Sequence, residues 1–191
     1  MVHETGMRRW LGLAVLVAAM ASGPAQAGLV QRNIQVDVAN IPDNDERGAV
    51  TNFIKDVYVG PNASILHFGW NVNVTSYPGS YLSEMQITFS DSVGNGVTFG
   101  PGGGDDFDGT ADYAGFQDLA ALGLAFDLAA DGILRLEFHD LYKDLAFDEP
   151  EGMWNAGTLT FDVAEVPEPA SLALMLGGLA LLSGARRRRI P

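Results

Sequence analysis

Oxygen-bearing side chains recur at every second position in one short stretch. They are Asp106, Asp108, Thr110 and Asp112, set within Gly103-Gly104-Asp105-Asp106-Phe107-Asp108-Gly109-Thr110-Ala111-Asp112. Such a loop, with glycines to relieve its bend, suits a hard cation, since calcium takes about six to eight oxygen ligands. These four residues are the candidate calcium ligands. The spacing is not that of an EF-hand, which needs glycine and then glutamate at positions held here by Ala111 and Gln117. A solvated, turn-rich loop accounts for the same residues without a metal. A second acidic set, Asp140, Asp144, Asp148, Glu149 and Glu151, falls in another predicted loop.

Other chemistry has little material. The chain has no cysteine and three histidines, His3, His67 and His139. A serine hydrolase needs a base beside its nucleophile, oriented by a carboxylate, and no Gly-x-Ser-x-Gly elbow is present to offer the serine. His67, between Leu66 and Phe68, and His139 read as structural residues of strands. A zinc site of the usual kind needs more His or Cys than the sequence supplies. Paired carboxylates, as in glycoside hydrolysis, arise by chance in so acidic a chain. No catalytic constellation and no cofactor other than calcium are expected, and the chain is read as not an enzyme.

The elements that position these residues follow from the charge distribution. Among 191 residues the net charge is −13, yet the arginines cluster at the extremities. Between Gly28 and Glu165 only Arg32, Arg47, Lys55, Arg135 and Lys143 oppose all the acids except Glu4 and Glu168. A surface of that sign excludes nucleic acid, whose phosphates require clustered Lys and Arg. At the start, Arg8-Arg9, an apolar run from Leu11 to Met20, and Ala25-Gln26-Ala27 follow the order of a secretory signal peptide. Residues 1–27 are read as that signal helix, with Ala25 and Ala27 as the small residues of the cleavage site.

At the far end, Val166-Pro167-Glu168-Pro169 precedes an uncharged run from Ala170 to Ala185 and then Arg186, Arg187, Arg188 and Arg189. A helix over 170–185 would be about 24 Å long, somewhat short of the ~30 Å hydrocarbon core. Snorkelling arginines cover part of the deficit, so the run reads as a transmembrane helix stopped by its arginine cluster. The positive end stays in the cytoplasm, which places residues 28–165 outside. Pro-Glu-Pro, a short apolar helix and a terminal arginine cluster together resemble the PEP-CTERM sorting signal, here spanning residues 166–191. That resemblance implies cleavage by an exosortase near Pro167-Glu168-Pro169, transient residence in the inner membrane, and delivery to the envelope, surface or matrix of an exopolysaccharide-making, biofilm-forming bacterium.

The section 28–165 is expected to be all-β. Ile34, Val36 and Val38 alternate with polar residues, as do Phe68, Trp70, Val72 and Val74; Met85, Ile87 and Phe89; Leu134, Leu136 and Phe138; and Leu159, Phe161 and Val163. Period-two patterns describe strands with one face buried. Pro42-Asp43-Asn44-Asp45, Tyr77-Pro78-Gly79-Ser80, Gly94-Asn95-Gly96 and Asp131-Gly132 punctuate them as turns. For Gly115 to Ala130 the pattern favours a short helix or turn at Phe116 to Ala121. A strand through Phe126 would follow, turned by Asp131-Gly132 into Leu134 to Phe138. Val38-Ala39-Asn40-Ile41-Pro42-Asp43-Asn44-Asp45, the hairpin from Val72 to Phe99, and Leu134 to Asp140 followed by Trp154 and Gly157 to Phe161 resemble the P domain of subtilisin-like proprotein convertases. The resemblance implies a jelly-roll-like antiparallel β-sandwich standing alone, and no convertase activity.

The function expected is that of a non-catalytic, exported envelope or matrix component, with exopolysaccharide or other surface proteins as its partners. One alternative is a carbohydrate-binding module using Trp70, Tyr77, Tyr81 and Trp154. The other is an extracellular hydrolase.

Overall fold

The computed structural model describes residues 30–146 and 149–165. The expected signal peptide, the Pro167-Glu168-Pro169 motif, the helix over 170–185 and the terminal arginines lie outside the described residues.

Alternating sequence becomes strand throughout. The elements are β1 (Val30–Asp43), β2 (Phe53–Tyr58), β3 (Ser64–Ser76), β4 (Met85–Ser90) and β5 (Gly96–Phe99), then β6 (Gly109–Asp118), β7 (Phe126–Asp127), β8 (Ile133–Asp140) and β9 (Gly152–Glu165). They form two antiparallel sheets facing one another as a β-sandwich. One runs β1-β9-β3-β6, with short β7 also paired to β3, and the other runs β2-β8-β4-β5. Sequence-distant strands lie side by side: β1 meets β9 from Val30↔Glu165 to Asp43↔Gly152.

The inward faces supply the core. Phe68 and Phe161 of the first sheet meet Phe89 of the second, with ring centroids 4.6 Å and 5.3 Å from Phe89 respectively. Val36, Val38, Val72, Val74, Ile87, Leu134, Leu136 and Leu159 complete this apolar layer. Trp154 packs edge-on against Phe138, 5.3 Å away, extending the core toward one end of the sandwich. With no cysteine in the chain, apolar burial is the principal favourable term holding the domain.

In the segment Gly115–Ala130 the turn expected at Phe116 to Ala121 comes later, and the expected strand through Phe126 is short. Phe116 to Asp118 continue β6, and the chain then turns, with no helix among the described residues. The turn is closed by Leu124 and Ala125 N–H groups donating to the Leu119 carbonyl at 2.8 and 3.1 Å. Leu119 is buried and anchors the turn, whereas Leu122 and Leu124 face solvent. Phe126 joins β3 through β7 and does not form a hairpin with β8.

Candidate functional site

Acidic residues from distant parts of the chain collect at one end of the sandwich. β1 ends there at Asp43; β8 ends at Asp140; Glu151 and Glu84 immediately precede β9 and β4. Sheet register aligns them: Asp43 and Ser76 both pair with Gly152, while Asp140 pairs with Met85. Backbone bonds cross-link these ends. Glu151 N–H donates to the Asp43 carbonyl at 2.7 Å, Asp140 N–H to the Asp45 carbonyl at 3.0 Å, and Leu141 N–H to the Glu84 carbonyl at 2.9 Å.

The side chains are out of water: Asp43 and Glu151 are 0% exposed and Asp140 is 1% exposed. Glu151 Oε1 accepts from the Asp144 and Leu145 N–H groups at 3.2 and 2.9 Å, and from Lys143 Nζ at 3.1 Å. Its Oε2 is buried without a partner, and so are both carboxyl oxygens of Asp43 and the Ser76 hydroxyl. Asp140 Oδ1 accepts from Tyr142 N–H at 3.1 Å, while Oδ2 lies 3.4 Å from Ser80 Oγ. Glu84 Oε2 accepts from Tyr81 N–H at 2.9 Å. Lys143 is the cation reaching this end, and it also holds the Asn44 carbonyl at 3.0 Å and Asp45 at 3.5 Å.

Burial of charge without compensation is costly, and the carboxyl groups register that cost. Desolvation pushes Asp43 well above the usual aspartate range, and the negative charges of Asp140 and Glu151 push it further. The Trp154 indole N–H faces it and opposes the rise, although outside ordinary hydrogen-bond geometry. Asp140 is pushed up to about 7, first by burial and then, against the pull of Tyr142 N–H, by Glu84 and Glu151. Burial raises Glu84 as well. Groups so enclosed can hold a proton or a small ion.

The sequence-predicted calcium residues sit elsewhere. Thr110 and Asp112 belong to β6, so their every-second spacing is the pleat of a strand. Asp112 accepts from Asn73 Nδ2 at 2.7 Å, and Thr110 shares a 2.7 Å hydroxyl contact with Thr75, both across the β3–β6 pair. Asp106 accepts from Ser83 Oγ at 2.8 Å. Asp108 is exposed. The preceding loop is tied back instead of outward: Leu82 and Ser83 N–H groups donate to the Phe107 and Asp105 carbonyls at 3.0 and 3.1 Å. Each of these acids except Asp108 thus has a protein partner of its own. Among the described residues, no three His, Asp or Glu side chains stand together in metal-holding geometry.

His139 is buried between Thr88 Oγ1 at 2.9 Å and the Asp140 carbonyl at 3.0 Å, and burial lowers its pKa. His67 lies on β3 between Asp118 and Asp162, at 3.5 and 3.3 Å, beside a shallow cleft lined by Arg32 and Asn33. Of the four aromatics considered for a sugar platform, Trp154 is wholly buried and Trp70 is half-buried against Phe99. Tyr77 is half-buried, and Tyr81 is 43% exposed. The four do not form one exposed plane.

The acidic end escaped sequence reasoning as a unit. Asp43 was legible only as a turn residue, and Glu151 and Asp140 only as members of an acidic loop. The one available signal was that both precede or follow alternating apolar runs, hence strand ends.

Similar folds among solved structures are distant. The chain is similar to the Aeromonas sobria serine protease in complex with its chaperone at 13% identity and TM-score 0.41, covering 72% of this chain and 27% of that one. It is similar to the VP2 subviral particle of infectious bursal disease virus at 10% identity and TM-score 0.36, covering 81% and 37%. A third likeness, to Desmodium yellow mottle tymovirus, has 11% identity and TM-score 0.29 over 86% and 92%. The chain therefore spans well under half of the first two, and none of the three confirms the P-domain resemblance. No curated protein matches the sequence. Residues 165–189 match the family model for the PEP-CTERM protein-sorting motif, so the chain carries the mark of an exported protein handled by an exosortase.

Proposed function

We propose that this protein is a non-catalytic β-sandwich, exported, held briefly in the inner membrane, and sorted by exosortase to the envelope, cell surface or extracellular matrix. The match of residues 165–189 to the sorting motif carries the reading. In it, Ala25 and Ala27 present the signal cleavage site and Arg186 to Arg189 stop the helix over 170–185. The exosortase cut falls near Pro167-Glu168-Pro169. The sandwich is of jelly-roll type, supported by its strand order 1-9-3-6 over 2-8-4-5, and it resembles a P domain without the protease. A structural or adhesive role is favoured over carbohydrate binding because Trp154 and Trp70 are committed to packing. It is favoured over hydrolysis because the enclosed acids are shut away from any substrate.

Fractionation of wild-type cells beside a strain lacking exosortase tests this. The wild type should yield a chain shortened at both ends in the outer fractions, and the mutant a chain retaining its C-terminal helix in the inner membrane. Identical mass and location in both strains, or an intact chain in the cytosol, would overturn it.

A further inference from the structure

We propose that the acidic end of the sandwich is a calcium site formed by Asp43, Asp140 and Glu151, a site distinct from the Asp106–Asp112 stretch. The argument rests on unmet oxygen atoms. Both Asp43 carboxyl oxygens and Glu151 Oε2 are buried with no hydrogen-bond partner, in side chains that are 0% exposed, and the Trp154 indole N–H facing Asp43 is unpartnered as well. The Ser76 hydroxyl beside them, one register step across β9, is unpartnered too. Buried polar atoms in folded proteins almost always find partners, so four orphan oxygens at one place call for an explanation.

Charge points the same way. When ionised, Asp43, Asp140 and Glu151 carry three negative charges, against one positive charge on Lys143, whose Nζ lies 3.1 Å from Glu151 Oε1. A divalent cation among them would hold the carboxyl groups in the ionised form that burial otherwise disfavours. Lys143 is itself engaged with Asp45, the Asn44 carbonyl and Glu151, so it does not reach the Asp43 oxygens as a hydrogen-bond donor. Glu84 and Asp144 add further negative charge at the margin. The donor set is all oxygen, carboxylate and hydroxyl, which selects a hard ion; its irregular supply from several strand ends suits calcium's flexible coordination better than magnesium's strict octahedron. As they stand, no three acidic side chains are gathered in metal-holding geometry, so the inference requires the carboxyl groups to draw together on binding. It does not depend on the sorting reading.

The test uses the full chain in mild detergent near pH 8, stripped with chelator. Calcium should raise the melting temperature by roughly 8–10 °C at a hundredfold excess over its dissociation constant. Terbium should luminesce on tryptophan excitation, since Trp154 faces Asp43, and calcium should quench that signal by competition. Asp43→Asn should abolish both responses while folding as well as the wild type in chelator, because it removes a buried charge. Glu151→Gln provides a second variant should the first fail to fold. The triple change Asp106→Asn, Asp108→Asn, Asp112→Asn should leave both responses intact. A wild-type melting temperature unmoved by calcium would overturn the proposal and leave a shared proton as the partner of these oxygens. Responses lost in the triple variant and kept in Asp43→Asn would also overturn it.

Discussion

Asp91 illustrates how one side chain sets a connection. It closes β4 and turns the chain toward β5: Oδ1 accepts from the Val93 and Asn95 N–H groups at 3.0 and 2.8 Å, and Oδ2 from Asn95 Nδ2 at 2.9 Å. Burial alone would raise its pKa, but the Asn95 side chain and the Asn95 and Val93 N–H groups together hold it below the usual aspartate range. A depressed carboxyl pKa means that the folded state prefers the ion, so its contribution is present above the ordinary aspartate value and fades as pH falls through the lower folded value. Asp91→Ala is expected to cost about 1.5–3 kcal/mol at neutral pH, as for hydrogen bonds to a charged group, with a smaller gap from wild type in acid. Urea unfolding at a series of pH values checks both parts. The turn was readable from Gly94-Asn95-Gly96; the role of Asp91 was not, since any aspartate in a turn looks alike in one dimension.

At the scale of the element, β9 is the strand on which the first sheet depends, lying between β1 and β3. It bulges against β3 near Asn155, where the register slips between Asn73↔Ala156 and Val74↔Trp154. Asn155 Nδ2 fills the irregularity by donating to Asn73 Oδ1 and Thr75 Oγ1, both at 2.8 Å. Gly157 follows with φ of +141°, and a Cβ there would stand 2.3 Å from the Asn71 carbonyl oxygen. Gly157→Ala is therefore expected to destabilise the domain by about 2–4 kcal/mol through strain and overpacking. Denaturant midpoints of the two proteins measure it. β9 itself was evident from Leu159, Phe161 and Val163, because long alternation has one reading. The segment after β6 was not, because a short run of leucines fits helix and strand alike until Leu119 is known to be the one buried.

For the whole molecule, stability rests on the contact between sheets. Phe161 packs tilted against Phe68 of its own sheet, with ring centroids 5.2 Å apart, and edge-on against Phe89 of the other at 5.3 Å. Phe161→Ala is expected to cost about 3–5 kcal/mol, a large part of the total stability of an ordinary domain. Thermal unfolding followed by circular dichroism should show a single transition at a much lower temperature. The acidic end has the opposite logic: there the fold tolerates enclosed carboxylates that packing alone does not favour, and calcium is the inferred compensation.

Two kinds of information divide the molecule. Export, sorting and the all-β class were written in contiguous signals: an apolar run beside arginines, Pro-Glu-Pro, and period-two alternation each act over a few neighbouring residues, so spacing along the chain is enough to see them. Which strands pair, and which acids meet, depended on closure between residues about a hundred positions apart, as in Asp43 with Gly152. The even spacing of Asp106 to Asp112 pointed to convergence, and for Thr110 and Asp112 it became the pleat of a strand. Asp43, Asp140 and Glu151, which no spacing unites, were brought together because three strand ends stop at the same edge of two packed sheets. Burial, the property that gives those oxygens their chemistry, exists only once the sheets close over them.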